Sequence, residues 1–387
     1  MNSVEVMPIS LPRDTVRFVK TWFTIYENDP NWVPPLFFER KSFFNPAKNP
    51  FFKTARVQCF VARKDGRDVG TIAATIDETY QKEDSGTAFF GFFEFTNDLE
   101  VARALLEAAR TWLADRGMNR VIGPFNFNTN HEFGLLVDGF EHSPMVANPY
   151  NADYYPEIYA SLGLEPEMDW FAYHCDGDMP GIKRMKKVGD RLLSRHPELV
   201  IRPIDLSRFD EEVELIHSIY TDAWEQNWAH VRVSEEEFRF IASGFKDILD
   251  PDICFVAEVG GQPAGISITL PDLNQPVKKM NGRLFPFGWY YLLNRARYID
   301  RVRVFMLGIA AEFQSLPLGA ALYAKTFDVA LGKGYRWGEA SLILENNTRM
   351  RGALEKMGAT VEKTYRNYGI DLPAVSPDSA RPADSAK

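Results

Sequence analysis

The chain has 387 residues, a formal net charge of −9 and 45% hydrophobic residues. That length accommodates two or three domains with cores of their own, and the acidic balance excludes general nucleic-acid affinity, which needs a basic face. Three scattered cysteines, Cys59, Cys175 and Cys254, form no CxxC pair, so neither a disulfide framework nor a metal site is expected.

The opening MNSVEVMPISLPRD lacks the basic-then-apolar form of a signal peptide. No stretch approaches the roughly eighteen apolar residues of a membrane span. The expected location is cytoplasmic, with peripheral contact at the inner membrane left open.

Followed from its start, the chain repeats itself. Cys59-Phe60-Val61-Ala62, then Gly66, Gly70 and Asp77, recur as Cys254-Phe255-Val256-Ala257 with Gly261, Gly265 and Asp272, every pair separated by 195 positions. The same spacing relates Gly163, Tyr173 and Asp176 to Gly358, Tyr368 and Asp371. Each half opens with a helical segment carrying Ile-Tyr and then Asn-Trp (Ile25-Tyr26 with Asn31-Trp32, Ile219-Tyr220 with Asn227-Trp228). These matches predict tandem α/β units at 1–176 and 198–372, a basic linker helix at 177–197 and a disordered tail at 373–387.

An extra polar and aromatic segment from Asn126 to Pro149 in the first unit is either a cover for the other unit's site or a long structured loop that only packs between the domains. The linker, GIKRMKKVGDRLLSRHP, predicts a short basic helix with Met185, Val188 and Leu192 on one side, either solvated or a patch for an acidic carrier protein or anionic lipid. A second insertion, Asp272 to Arg297, is dense in Phe285, Phe287, Trp289, Tyr290, Tyr291, Leu292 and Leu293 and flanked by Lys and Arg. That is the composition of an interfacial helix or a lipid-facing lid, and also of an amphipathic helix packed on a core.

From Arg303 to Asp371 the pattern reads strand, turn, helix, strand, capped helix, strand. The predicted elements are a strand at 302–310, a helix from Gly319 to Leu331, a strand from Trp337 to Leu344, a helix ending at Met357-Gly358, and an edge-like strand from Thr360 to Ile370. A strand and turn leading into an exposed helix N-terminus gather free N–H groups and a dipole where a phosphate fits.

This order resembles the acyl-CoA-binding half of the GNAT acyltransferases, whose turn reads (Gln/Arg)-x-x-Gly-x-(Gly/Ala). Gln314, Pro317 and Gly319 fall on the marked positions, with Pro317 in place of the first glycine, and Asn347 and Gly358 fall on the family's later Asn and Gly. The phrases DPNWVPPL (29–36), NPFF (49–52), GFFEF (91–95), GPFNFN (123–128) and DLNQPVKKMNGRLFPFGW (272–289) resemble a bacterial group of tandem GNAT-like proteins that includes ceramide synthases. The resemblance implies an α/β chain (an α+β mixed sheet) of two GNAT-like domains, acting as an acyl-CoA-dependent N-acyltransferase on an amine such as a long-chain base. It implies direct attack on the thioester, with Leu307, Gly308 or Ile309 supplying the amide that polarises the carbonyl. Gln314, Ser315, Leu316, Pro317, Leu318, Gly319 and Ala320 would hold the pyrophosphate, and Asn347 the pantetheine arm.

The tyrosine usual seven residues after that Asn is Leu354 here, so the proton-transfer groups stay open among Glu339, His131, Tyr365 and Tyr368. In the first unit, Asp98 and Glu100 stand where the phosphate turn would be and would repel a pyrophosphate. The donor is acyl-CoA or an acyl-carrier protein, and a monomer or a homodimer fits two fused domains. Acetylation of a small soluble amine and non-catalytic sensing of acyl-CoA or lipid are the alternatives.

Overall fold

Alternation of apolar and polar residues with β-branched and aromatic enrichment makes strands of the runs that the repeat singles out. The computed structural model describes residues 3–373, so the predicted tail lies almost wholly outside the described residues. The first half contains β1 (Glu5–Ile9), α1 (Thr15–Ile25), α2 (Phe37–Phe43), β2 (Ala55–Lys64), β3 (Arg67–Asp77), β4 (Thr87–Phe95), α3 (Leu99–Ala114) and β5 (Arg120–Gly123). The short strands β6 (Phe125–Asn126), β7 (Glu132–Phe133) and β8 (Leu135–Asp138) follow, then α4 (Tyr155–Ser161), β9 (Glu165–Asp176) and the basic helix α5 (Ile182–Arg195). The second half repeats the order as β10 (Leu199–Pro203), α6 (Phe209–Trp224), α7 (Glu235–Phe245), β11 (Phe255–Val259) and β12 (Gln262–Pro271). The inserted helices α8 (Asn274–Lys278) and α9 (Gly288–Leu293) lead to β13 (Arg301–Ile309), α10 (Leu318–Gly332), β14 (Trp337–Leu344), α11 (Thr348–Met357) and β15 (Thr360–Asp371).

The strands build one 13-stranded mixed sheet in the order β1-β2-β3-β4-β5-β15-β9-β14-β13-β12-β11-β10, with β8 also on β15. The order is palindromic in the repeat: β2 to β5 on one side correspond to β11 to β14 on the other. At the centre the last strands are exchanged. β9 ends the first half but pairs with β14, and β15 ends the second half but pairs with β5. The two pair with each other along most of their length. Asn367 helps to hold the exchange: its side chain accepts from Trp170 Nε1 at 2.8 Å and donates to the Pro124 carbonyl at 2.9 Å, tying β15 to β9 and to the link between β5 and β6 in the core.

Two expectations change here. β15 is an interior strand, because its polar residues are buried with partners rather than solvated. On α5 the buried residues are Gly189 and Leu192, while Val188 is exposed. Gly189 is needed at that crossing: a Cβ there would press on the Ala321 backbone of α10.

Candidate active site

Strand β13 carries the site. It pairs with β14 in parallel only from Arg301/Trp337 to Val304/Ala340. Against β12 its register slips between Met306 and Val304, which leaves Phe305 as a bulge. Beyond it, Phe305 to Ile309 have no strand on the β14 side, and Ser341 to Leu344 lean away toward β9. The two strands therefore splay apart. Ala310 N–H donates to Ala264 on β12, so by strand alternation the amides of Ile309 and Leu307 face the opening and that of Gly308 does not. Gly308 has a steric role instead, since a Cβ there would collide with the Trp224 indole of α6.

At the outer end of the splay the chain turns through Gln314, Ser315, Leu316 and Pro317 into α10. No side chain caps this helix and its first turn holds no acid. Gln314, Ser315 and Pro317 are exposed, and Arg349 brings a cation to the turn by donating to the Gln314 carbonyl at 2.6 Å. Asn347 lies nearby, but its side chain is spent as the N-cap of α11, accepting from Met350 N–H.

At the inner end, where β13 and β14 part, lies a buried polar network. Glu339, fully buried, accepts from Lys363 Nζ, Asn148 Nδ2 and Ser341 Oγ, each at 2.6 Å. Arg303 donates to Ser341 Oγ at 3.0 Å, the Ser341 carbonyl at 3.2 Å and the Val146 carbonyl at 2.7 Å. Burial pulls Arg303 down to about 10, against the attraction of Glu339, so it stays a cation at neutral pH. Burial alone would depress Lys363, but Glu339 and Glu362 more than offset it and its pKa is raised. Tyr365 is buried within electrostatic reach of Glu339 and Arg303, and its hydroxyl has no hydrogen-bond partner. Burial, helped by Glu339, keeps that phenol protonated. Asn148 and Val146 come from the first half's insertion, which thus covers the second half's site.

Beside the bulge lies a small apolar cleft of about 50 Å³, partly open to solvent. Phe305 and Met306 form one wall, Ile268 and Leu270 the floor, and Ile216 and Phe245 the helical side. The Phe305 ring lies 5.1 Å from the Arg303 guanidinium, so cleft and network adjoin.

The structure brings Tyr365 and Glu339 together but separates them from the other two candidates. Tyr368 packs in the first half's core with its ring 5.0 Å from Tyr159. His131 lies in an aromatic nest of Phe43, Phe51 and Phe127, with Nε2 at 3.8 Å from Glu237 Oε1 and neither atom otherwise bonded. That distance would suit an ion pair, yet burial and then Arg40 push His131 down to about 3, while burial and then Asp77 push Glu237 up to about 8. The pair is therefore uncharged at pH 7. His131 therefore makes stability rise with pH from about 3 to 6.5, and Glu237 makes it fall from about 4.5 to 8. Glu237→Gln is expected to gain stability over the wild type as pH rises from 6.5 to 8, by a few kcal/mol at most, measured as the difference in Tm across that range.

The equivalent place in the first half is filled. Asp98 caps α3 through Glu100 N–H and Val101 N–H and pairs with Lys64 at 2.6 Å, so a carboxylate occupies the helix N-terminus. Between β4 and β5, Asn126 Oδ1 accepts the Phe92 N–H at 2.7 Å and the Tyr155 hydroxyl accepts that of Phe95 at 3.1 Å. Arg303, Ser341, Lys363 and Asn148 escaped the sequence reading. The signal available was a single charged residue inside an apolar strand run, as at Arg303.

No protein-family model matches the chain. The bacterial ceramide synthase of Caulobacter vibrioides (strain NA1000 / CB15N) is 36% identical over 375 residues, covering 94% of this chain and 97% of that protein. The chain belongs to the bacterial ceramide synthase family. Protein YghO of Escherichia coli (strain K12) is 34% identical over 366 residues, covering 92% of each. Among solved structures, a tandem GNAT protein from the clavulanic acid biosynthesis pathway superposes with a TM-score of 0.58 at 13% identity, covering 97% of this chain and all of that one. A GCN5-related N-acetyltransferase from Sphaerobacter thermophilus gives 0.50 at 10% identity, covering 96% and 97%. This member of the bacterial ceramide synthase family is an N-acyltransferase on a tandem GNAT fold. Among the described residues, no helix is long and apolar enough to cross a membrane, and no group of three or more His, Cys, Asp or Glu is arranged to hold a metal ion.

Proposed function

We propose that the protein transfers a long acyl chain from acyl-CoA to the amine of a long-chain, sphingoid-type base. The observation that carries this reading is the apolar cleft at Phe305 and Met306, opening beside the splay and the uncapped α10 N-terminus. The turn from Gln314 to Ala320 cradles the pyrophosphate with the helix dipole and the N–H groups of Ser315, Leu318 and Gly319, since those of Gln314, Leu316 and Ala320 already donate within the turn and Pro317 has none, and Arg349 adds charge. The thioester lies along β13, its carbonyl oxygen on the Leu307 or Ile309 amide. The amine nitrogen attacks the carbonyl carbon and the C–S bond breaks. Tyr365 gives its proton to the departing thiolate, and Glu339, ion-paired with Lys363, takes the proton the amine loses. The filled splay of the first half supports two units, 1–176 and 198–372, with the chemistry in the second.

Thiol release from acetyl-, octanoyl- and palmitoyl-CoA, each with sphinganine, 3-ketosphinganine or a polyamine, tests the reading. Turnover confined to long acyl chains and long-chain bases is expected; turnover of acetyl-CoA with the polyamine would sink it. A second test uses Gly319. A Cβ there meets only Leu307 Cδ2, at 3.9 Å, so the site accepts a side chain. Gly319→Asp is expected to raise Tm slightly, by roughly 0.5–1 kcal/mol of helix stabilisation. The added anion should weaken acyl-CoA binding at least about tenfold, read by calorimetric titration.

A further inference from the structure

The insertion between β12 and β13 places its aromatic residues in solvent. Phe285, Phe287 and Leu293 are each 74% exposed, Trp289 44% and Tyr290 42%, a concentration of large apolar side chains that the rest of the described surface lacks. A soluble face of this kind needs a covering partner. The segment is not loose: Leu284, Tyr291 and Leu292 pack on the same apolar cluster that forms the cleft walls, and Arg295 donates to the Asp247 carbonyl just past α7 at 3.0 Å. The Trp289 indole N–H is satisfied by the Pro286 carbonyl at 2.8 Å, which removes the desolvation cost of burying that ring.

Charge decides what covers it. Residues 273–299 carry Lys278, Lys279, Arg283, Arg295 and Arg297 and no acidic residue, within a chain of net charge −9. Lys279, Arg283 and Arg297 are exposed around the aromatic tip. An apolar tip ringed by cations matches an anionic bilayer surface, where rings enter the acyl boundary and cations meet phosphate headgroups. We propose that this insertion docks the protein on anionic membranes and sets the cleft mouth against the bilayer. The docking stands apart from the proposed acceptor; only its purpose, passing a membrane-dissolved base into the cleft, rests on that reading.

Co-sedimentation of the full chain with phosphatidylcholine vesicles, with and without phosphatidylglycerol, tests it. Binding is expected to the anionic vesicles, with Trp289-dependent quenching by brominated lipid. The triple variant Phe285→Ser, Phe287→Ser, Leu293→Ser should lose at least about tenfold in partitioning. The charge variant Arg283→Glu, Arg297→Glu leaves the apolar tip intact and should lose the preference for phosphatidylglycerol. Thiol release from palmitoyl-CoA with sphinganine presented in neutral detergent micelles, where no bilayer has to be reached, should be unchanged in both, so a failure of docking is separable from a failure of the acceptor reading. Absence of binding to anionic vesicles, or equal binding by wild type and both variants, would overturn the proposal. So would a dimer that the triple variant dissociates without any vesicle binding, which would make the tip an interface between copies of this chain.

Discussion

Replacing Tyr365 by Phe is expected to lower kcat about a hundredfold while leaving stability unchanged or raised by roughly 1 kcal/mol. The two effects have one cause. The Tyr365 hydroxyl is buried, kept protonated, and without a hydrogen-bond partner, beside Arg303 and Glu339. In the folded protein without substrate such a group costs free energy, and Phe removes that cost without opening a cavity. In the proposed reaction the same proton goes to the departing thiolate. A Tyr365→Phe variant that melts at or above the wild-type temperature and turns over slowly would fit this assignment. Full turnover would remove Tyr365 from the chemistry.

Lys363→Met is expected to destabilise the protein by about 3–5 kcal/mol, read from urea unfolding. Lys363 and Glu339 are both shut off from solvent and bonded at 2.6 Å. Removing the cation leaves the carboxylate with only Asn148 and Ser341 in a site of low polarisability. The double variant Glu339→Gln, Lys363→Met removes both charges and should recover most of the loss. Because it folds, it also isolates the chemistry: with Glu339 as proton acceptor, the double variant is stable and nearly inactive. A single variant as stable as the wild type would show that the pair is solvated and the network open.

Much of the fold was written locally. The repeat at one offset, the glycine turns and the Asn347 cap placed the strands and helices of the second half close to where they lie, and Gly358 at φ 103° closes α11 as its position promised. The exchange of β9 and β15 was not legible. Both strands have a buried alternation that suits either neighbour, and strand order is set by pairings far apart in sequence. The site divides along the same line. The turn into α10 is a contiguous run with its own geometry and could be placed from the sequence, whereas Lys363 sits in an alternating strand where lysine ordinarily marks a solvent face. Only the folded chain brings Glu339, Asn148 and Arg303 around it. Asn148 belongs to an insertion whose covering role was one of two readings, and its bond to Glu339 favours that one.

Acceptor choice is read from the product mass when palmitoyl-CoA is offered to the enzyme with sphinganine and spermidine together. N-palmitoyl sphinganine is expected as the dominant product, with one thiol released per amide formed. N-palmitoyl spermidine as the main product would contradict the long-chain-base reading, because the apolar cleft beside β13 would then have no part in choosing the acceptor.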